Sequence, residues 1–167
     1  GLILSLALLI YRSMKPRVAV LGRHPDGTWR DAERFKLPEP HPQLTILRFD
    51  GPLHFVNAAT FEDAVLAVER DHPQLKVLLI SSAGINDIDA SGIDTLRRLR
   101  RQLAAGGRRL ACCGLKKQVI DVLERTGLWA ELGPHAAYRH EDDALPHLLP
   151  LLGAAPPPPP VRRGLEW

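Results

Sequence analysis

Asp87, Asp89 and Ser91 stand at alternate positions, two carboxylates and a hydroxyl within five residues. Two chemistries suit that set. A carboxylate and a serine could serve as acid and nucleophile. Alternatively, a serine at a helix N-terminus can take a phosphate, which the free N–H groups and the positive end of the helix dipole would stabilise. The first reading lacks its companions. No histidine has a clear local relation to Ser91, and no oxyanion or metal motif is present. The functional reading left is a presented Ser91 hydroxyl that is phosphorylated or otherwise switched, with Asn86, Asp87, Asp89 and Gly92 as an interaction loop around it. The plain alternative is that Asp89 and Ser91 only cap a helix, since a short side-chain oxygen accepts a backbone N–H that has no helical partner.

The flanking residues say how this stretch is held. Val77-Leu78-Leu79-Ile80 is a short continuous apolar run, as expected of a strand covered on both faces. After Gly92, Ile93, Leu96, Leu99 and Leu103 mark the buried stripe of a helix ending at Gly106-Gly107. Strand, loop and helix start thus follow in order. In an open α/β sheet, the loop beyond a strand's carboxyl end is where sites are built.

The rest of the chain alternates in the same way. Val18–Leu21 and Thr28–Arg30 read as a hairpin around the turn His24-Pro25-Asp26-Gly27. Leu37–Gln43, with three prolines, reads as an extended connector. Leu44–Phe49 reads as a strand, and Leu53–Val56 as further extended chain. Asn57 is the expected N-cap of a helix with Phe61, Ala64, Val65 and Val68 inside. Leu110–Cys113 is the next strand. Lys116–Thr126 is a helix with Val119, Ile120 and Leu123 inside, and Trp129 and Leu132 pack over its end. Ala136–Arg139 is a last short strand. Asp142–Leu152 has a helical stripe that Pro146 and Pro150 should shorten or bend. This order predicts an α/β fold, a mixed and mostly parallel sheet with helices packed against it.

With 167 residues, one domain with tails is expected, large enough to bury a core. A net charge of +3 from 22 basic and 19 acidic residues, with 5% aromatics, gives no reason to expect nucleic acid. The two cysteines, Cys112 and Cys113, are adjacent, so in a strand they point to opposite faces and a disulfide between them would be strained. They fit a reducing compartment with one thiol buried. The seven histidines are scattered, and no metal site is expected. Arg97, Arg98, Arg100 and Arg101 cluster on the helix after Ser91. They read either as an ordinary solvated face, with Asp94 pairing Arg98, or as a surface for an acidic partner or anionic lipid, carried by Arg97, Arg98 and Arg101.

The ends differ from the middle. Leu2–Ile10 is almost wholly apolar and is followed by Arg12, Lys15 and Arg17. Nine residues cannot span a bilayer alone. Apolar chain followed by positive charge is the pattern of a membrane helix leaving on the cytoplasmic side. Residues 1–14 are accordingly read as the end of a last transmembrane helix, and the opening Gly as a start inside a longer protein. Residues 153–167 read as a proline-rich disordered tail, with Pro156–Pro160 in a polyproline conformation.

The sequence resembles the STAS domain, shared by SulP-type sulfate permeases and anti-sigma-factor antagonists. Ile88-Asp89-Ala90-Ser91-Gly92 looks like the D-x-[ST]-G signature that opens the second helix of that domain. Leu53–Ala58 with Phe61 resembles its strand-to-helix passage in the permeases. Val20–Arg23 and Trp29–Asp31 resemble the segment joining the last membrane helix to the domain. The likeness covers roughly residues 15–149. It implies the STAS fold over residues 15–152, and a cytoplasmic regulatory and interaction domain of a SulP-type transporter of sulfate-like anions, separate from the pore. The parent would be a multi-pass protein of the cell membrane. Its partners would be the membrane domain of the same transporter, a second copy in a homodimer, or an acidic cytoplasmic protein. The antagonist branch implies instead a stand-alone anti-sigma-factor antagonist phosphorylated on Ser91. Some STAS domains bind nucleotides, but the chain has no G-x-x-x-x-G-K-[ST] loop, and no cofactor is expected.

Overall fold

The structure is a computed structural model that describes residues 1–152, without the side chains of Ser13 and Met14. The expected polyproline tail at 153–167 lies outside the described residues. The elements run α1 (Leu2–Met14), β1 (Arg17–Arg23), β2 (Trp29–Asp31), β3 (Leu44–Asp50), α2 (Phe55–Asp71), β4 (Val77–Ser81), α3 (Ala90–Ala105), β5 (Arg109–Cys113), α4 (Lys117–Arg125), α5 (Leu128–Leu132) and α6 (Glu141–Leu148). Short 3-10 turns follow α5 and α6.

The strands form one mixed sheet in the order β2-β1-β3-β4-β5. The β1–β2 and β1–β3 pairs are antiparallel, and β3–β4 and β4–β5 are parallel. Each parallel connection contains a helix, because parallel neighbours need a crossover. All five residues of β4 are buried, as the apolar run requires of a strand with both faces covered.

Alternation sorts the core into two layers. Leu47, Phe49, Leu78, Ile80, Leu110 and Cys112 face the buried stripes of α2, α3 and α4. Leu44, Ile46, Val77, Leu79, Ala111 and Cys113 face α6 through Ala144, Leu145 and Leu148. The adjacent cysteines therefore sit on opposite faces, free of any disulfide, but both are buried rather than one. Burial pushes the Cys112 thiol up to about 12, and burial followed by the nearby Glu141 carboxylate raises Cys113 further.

Four local expectations need correction. Helix α2 starts at Phe55, not after Asn57, and His54 holds the cap position. Arg98 pairs with Glu62 of α2 at 2.6 Å rather than with Asp94 one turn away. Ala136–Arg139 is no strand. It makes a single bridge from Tyr138 to Cys113, because a 3-10 turn occupies Gly133–Ala136. Ile120 is only partly buried. Pro146 does sit inside α6, which ends at Leu148 and tightens into a 3-10 turn around Pro150.

Helix α1 leaves apolar side chains at the surface, among them Leu2, Ile3, Leu4 and Leu9. Thirteen residues make a helix about 20 Å long, against about 30 Å of bilayer hydrocarbon. Among the described residues no helix is long and apolar enough to cross a membrane.

Candidate functional site

The loops after β3 and β4 run side by side. Gly51 donates to the Gly84 carbonyl at 3.0 Å, Leu53 to the Asp87 carbonyl at 2.8 Å, and Asp89 to the Leu53 carbonyl at 3.3 Å. Leu53 and Ile88 thus form a parallel bridge beyond the end of the sheet. Leu53, Ile85 and Ile88 are buried and anchor both loops to the core. The polar residues between them are left at the surface, Asn86 and Asp87 exposed.

Asp89 joins the two loops to two helices. It is the N-cap of α3, and its Oδ1 accepts the Gly92 amide at 2.9 Å. Its Oδ2 accepts the Phe55 amide, in the first turn of α2, at 2.9 Å. One carboxylate therefore satisfies donors at two helix N-termini, where backbone N–H groups lack partners. Burial by itself would raise the Asp89 pKa. The Gly92 and Phe55 amides, the neighbouring His54 and the Ser91 amide together outweigh it and hold the carboxyl below its ordinary value. The same amide explains the break in Leu53–Val56: Phe55 is drawn into a helix by a cap supplied 34 residues away.

Gly92 is required by space. A Cβ there would fall 2.1 Å from the Leu53 carbonyl oxygen and 2.7 Å from Ile88 Cγ1. Only a residue without Cβ lets the first turn of α3 approach the neighbouring loop so closely. Asp-x-Ser-Gly is thus a packing unit. The aspartate caps, the glycine admits the backbone, and the serine between them is half-buried at the helix start. Among the described residues the Ser91 hydroxyl has no hydrogen-bond partner.

The rest of the loop is tied down on either side. His54 Nε2 lies 2.9 Å from Asp87 Oδ2, and Asp87 Oδ1 accepts the Ile88 amide at 2.9 Å. The Lys116 ammonium donates to Asn86 Oδ1, and Gln118 Nε2 donates to the Asn86 carbonyl at 3.2 Å. A histidine, aspartates and a serine therefore do share this corner, but His54 is bonded to Asp87 and not to Ser91. Phe55 and Val56 are 76% and 58% exposed on the first turn of α2, an apolar ledge joined to the start of α3 through Asp89. Sequence reasoning missed both, having placed them in extended chain. Their one signal is the crowding of apolar residues at a helix start with no buried partner in register.

The arginines lie along α3, away from this corner. Arg97 Nε, Arg101 Nη2 and Arg100 Nη2 all reach Glu131 of α5, at 2.7, 3.3 and 3.6 Å. Arg97 also donates to the Thr126 carbonyl at 2.7 Å. Arg98 crosses to Glu62. Arg97 and Arg98 thus clamp α3 to its neighbours, while Arg98 and Arg101 remain exposed.

The family model for the STAS domain matches residues 37–144. Among curated proteins, the chain is 26% identical to a probable sulfate transporter 4.2 of Arabidopsis thaliana, over 87% of this chain and 23% of that protein. It is 29% identical to the human sulfate anion transporter 1, over 80% of this chain and 25% of that one. The chain thus spans about a quarter of the curated relatives it matches. Among solved structures, the murine Slc26a9 anion transporter superposes with a TM-score of 0.75 at 18% identity, over 87% of this chain and 24% of that one. A sulfate transporter family protein from Wolinella succinogenes gives 0.61 at 22% identity, over 73% of this chain and 98% of that one. Unphosphorylated SpoIIAA, an anti-sigma factor antagonist, gives 0.56 at 16% identity, over 70% of this chain and 96% of that one. At these identities the structural likenesses speak for the fold.

Proposed function

The chain belongs to the STAS domain family, and from that premise we propose that it is the cytoplasmic regulatory and interaction module of a SulP-type transporter of sulfate-like anions, not the transport pore. One observation carries the reading. At the βα corner a single carboxylate, Asp89, bonds both to the amide of Phe55, in the turn that carries the exposed Phe55–Val56 ledge, and to the start of α3, where among the described residues the Ser91 hydroxyl has no partner. A corner built this way transmits a local change of charge. A phosphate on Ser91 brings close to two negative charges next to Asp89 and competes for the same N-terminal amides. Repulsion then weakens the bond from Asp89 to the Phe55 amide, and the first turn of α2, with its ledge, is the element that responds. Such a change acts on a pore only by favouring one transporter state over another.

The module is non-catalytic in this reading. What supports that is the missing bond between Ser91 and His54, together with thiols that are buried and protonated at neutral pH. The exposed apolar surface of α1, next to Arg12, Lys15 and Arg17, supports a role for residues 1–14 as the end of a membrane helix leading into the domain. The working surface is Asn86, Asp87, Asp89 and Ser91 with Phe55 and Val56, while Gly92 is buried beneath it against Leu53. Arg98 and Arg101 are the exposed members of a second surface, suited to an acidic partner or lipid.

Placement is testable through the buried thiols. Cys112 and Cys113 are shielded, so Asn86→Cys adds one accessible thiol to a parent protein whose membrane-domain cysteines have been replaced. A membrane-impermeant maleimide should label it in inside-out vesicles and not in intact cells. Labelling from outside the cell contradicts the proposal.

The unbonded Ser91 hydroxyl also favours a second reading, an anti-sigma-factor antagonist switched by phosphorylation. It differs in its partner: a kinase-bearing anti-sigma factor should bind the chain with Ser91 unmodified and release Ser91→Glu, and no membrane domain is needed.

A further inference from the structure

At the end of the sheet opposite Ser91, where β4 and β5 begin, a groove of about 520 Å³ opens between α3, α5 and the strand ends. Lys76, Arg100, Arg108, Arg109 and His135 line it, against one carboxylate, Glu131. Arg108 is spoken for: Nη1 donates to Glu69 at 2.9 Å and Nε to the Leu75 carbonyl at 3.2 Å. Glu131 is oversubscribed, because Arg97 and Arg101 share it with Arg100, and Arg100 is the most distant of the three at 3.6 Å. Arg100 Nε is shut off from solvent and has no acceptor. A buried guanidinium N–H without a partner is uncommon in a folded protein, and such a group calls for an explanation.

The remaining cations are no better matched. Arg109 Nη1 meets His135 Nε2 at 2.6 Å rather than a carboxylate. Burial first, then Arg109 and His147, hold the His135 pKa below its ordinary value, so the ring is a neutral acceptor and does not offset the arginine's charge. Lys76 takes no ion pair among the described residues. Two guanidinium forks and an ammonium thus face one concave space with a single, already shared, negative charge. Guanidinium geometry matches the paired oxygens of a phosphate or sulfate group, and the ammonium adds a point charge.

We propose that this groove binds a phosphate-type oxyanion, gripped by Arg100 and Arg109 with Lys76 completing the charge. The site is separate from the Ser91 corner and stands or falls without it. Its ligand is the phosphate group of a small molecule or of a lipid headgroup, and the two sources are separable by experiment.

The test uses the 167-residue chain. Inorganic phosphate is titrated calorimetrically at constant ionic strength, and sedimentation is measured with phosphatidylcholine vesicles with and without phosphatidic acid. Arg109→Gln and Lys76→Gln, both at exposed positions, are compared with Arg125→Gln, exposed at the end of α4 and outside the groove. Saturable binding is expected, weakened about tenfold by loss of each charged hydrogen-bond donor and unchanged in Arg125→Gln. Binding of free phosphate assigns the site to a soluble ligand. Sedimentation only with phosphatidic acid, lost in Arg109→Gln, assigns it to a headgroup. Absence of both, or binding that Arg109→Gln and Lys76→Gln leave untouched or that Arg125→Gln weakens equally, overturns the proposal.

Discussion

The carboxylate of Asp89 accepts the backbone amide of Phe55 at 2.9 Å, although the two residues are 34 positions apart. Through its other oxygen the same side chain caps its own helix at Gly92. Two βα junctions are therefore locked by one residue, and the consequences of changing it follow from counting donors.

Asp89→Ala leaves two N-terminal amides without acceptors. At about 1 kcal/mol for each lost cap, the domain should lose about 2 kcal/mol in urea unfolding at neutral pH. Asp89→Asn keeps one acceptor oxygen and presents an N–H₂ to the other amide, so it should lose about half as much. The pH dependence has a definite sign. The folded pKa lies below the ordinary 3.8, so this contribution is complete above the unfolded value and disappears as pH falls through the folded one. The gap between wild type and Asp89→Asn should close in that acid window.

Gly92→Ala tests the close approach. Its Cβ would meet the Leu53 carbonyl oxygen, which belongs to backbone held at both ends and cannot simply turn away. A loss of about 3 kcal/mol is expected, at the upper end of overpacking costs. Ser91→Ala, one position earlier, should unfold within about 0.5 kcal/mol of wild type. Equal stability of Gly92→Ala and wild type would refute the packing role given to the glycine.

His72 supplies a pH effect of opposite sign. Its Nε2 meets Glu39 at 2.8 Å and its Nδ1 meets the Val68 carbonyl at 2.8 Å, an arrangement that suits a ring protonated on both nitrogens. Burial opposes the charge, but these bonds, with the Glu39 and Asp71 carboxylates, outweigh it and raise the pKa. The stabilisation is full below the ordinary 6.5 and fades as pH rises through the folded value. Glu39→Gln should therefore cost about 1 kcal/mol in mildly acidic solution and progressively less on the alkaline side, read from unfolding midpoints across the range.

These residues also show what the sequence could and could not reveal. The apolar run of β4, the stripe of α3 and the Asp-x-Ser-Gly unit are local patterns, and strand, loop and helix appeared where those patterns put them. The Asp89 cap on Gly92 is local too. The start of α2 is not: its cap comes from another loop, so Leu53–Val56 looked extended and Asn57 looked like the capping residue. Asn57 instead sits inside the helix, and its Nδ2 donates to the Pro52 carbonyl at 2.8 Å. The partners of the arginines were hidden for the same reason. Glu62 and Glu131 lie 36 and 34 positions from Arg98 and Arg97, beyond any helical spacing rule. Adjacent cysteines on a strand gave the two faces correctly, but the depth of Cys113 depended on α6, whose extent the prolines obscured.

In the proposed mechanism, charge at Ser91 is felt by a transporter. The direct measurement is sulfate uptake by the full-length parent carrying Ser91, Ser91→Ala or Ser91→Glu, at matched surface expression. Ser91→Glu should change the uptake rate relative to the other two, and Ser91→Ala should hold the protein in its unmodified state. Identical uptake by all three proteins contradicts the account.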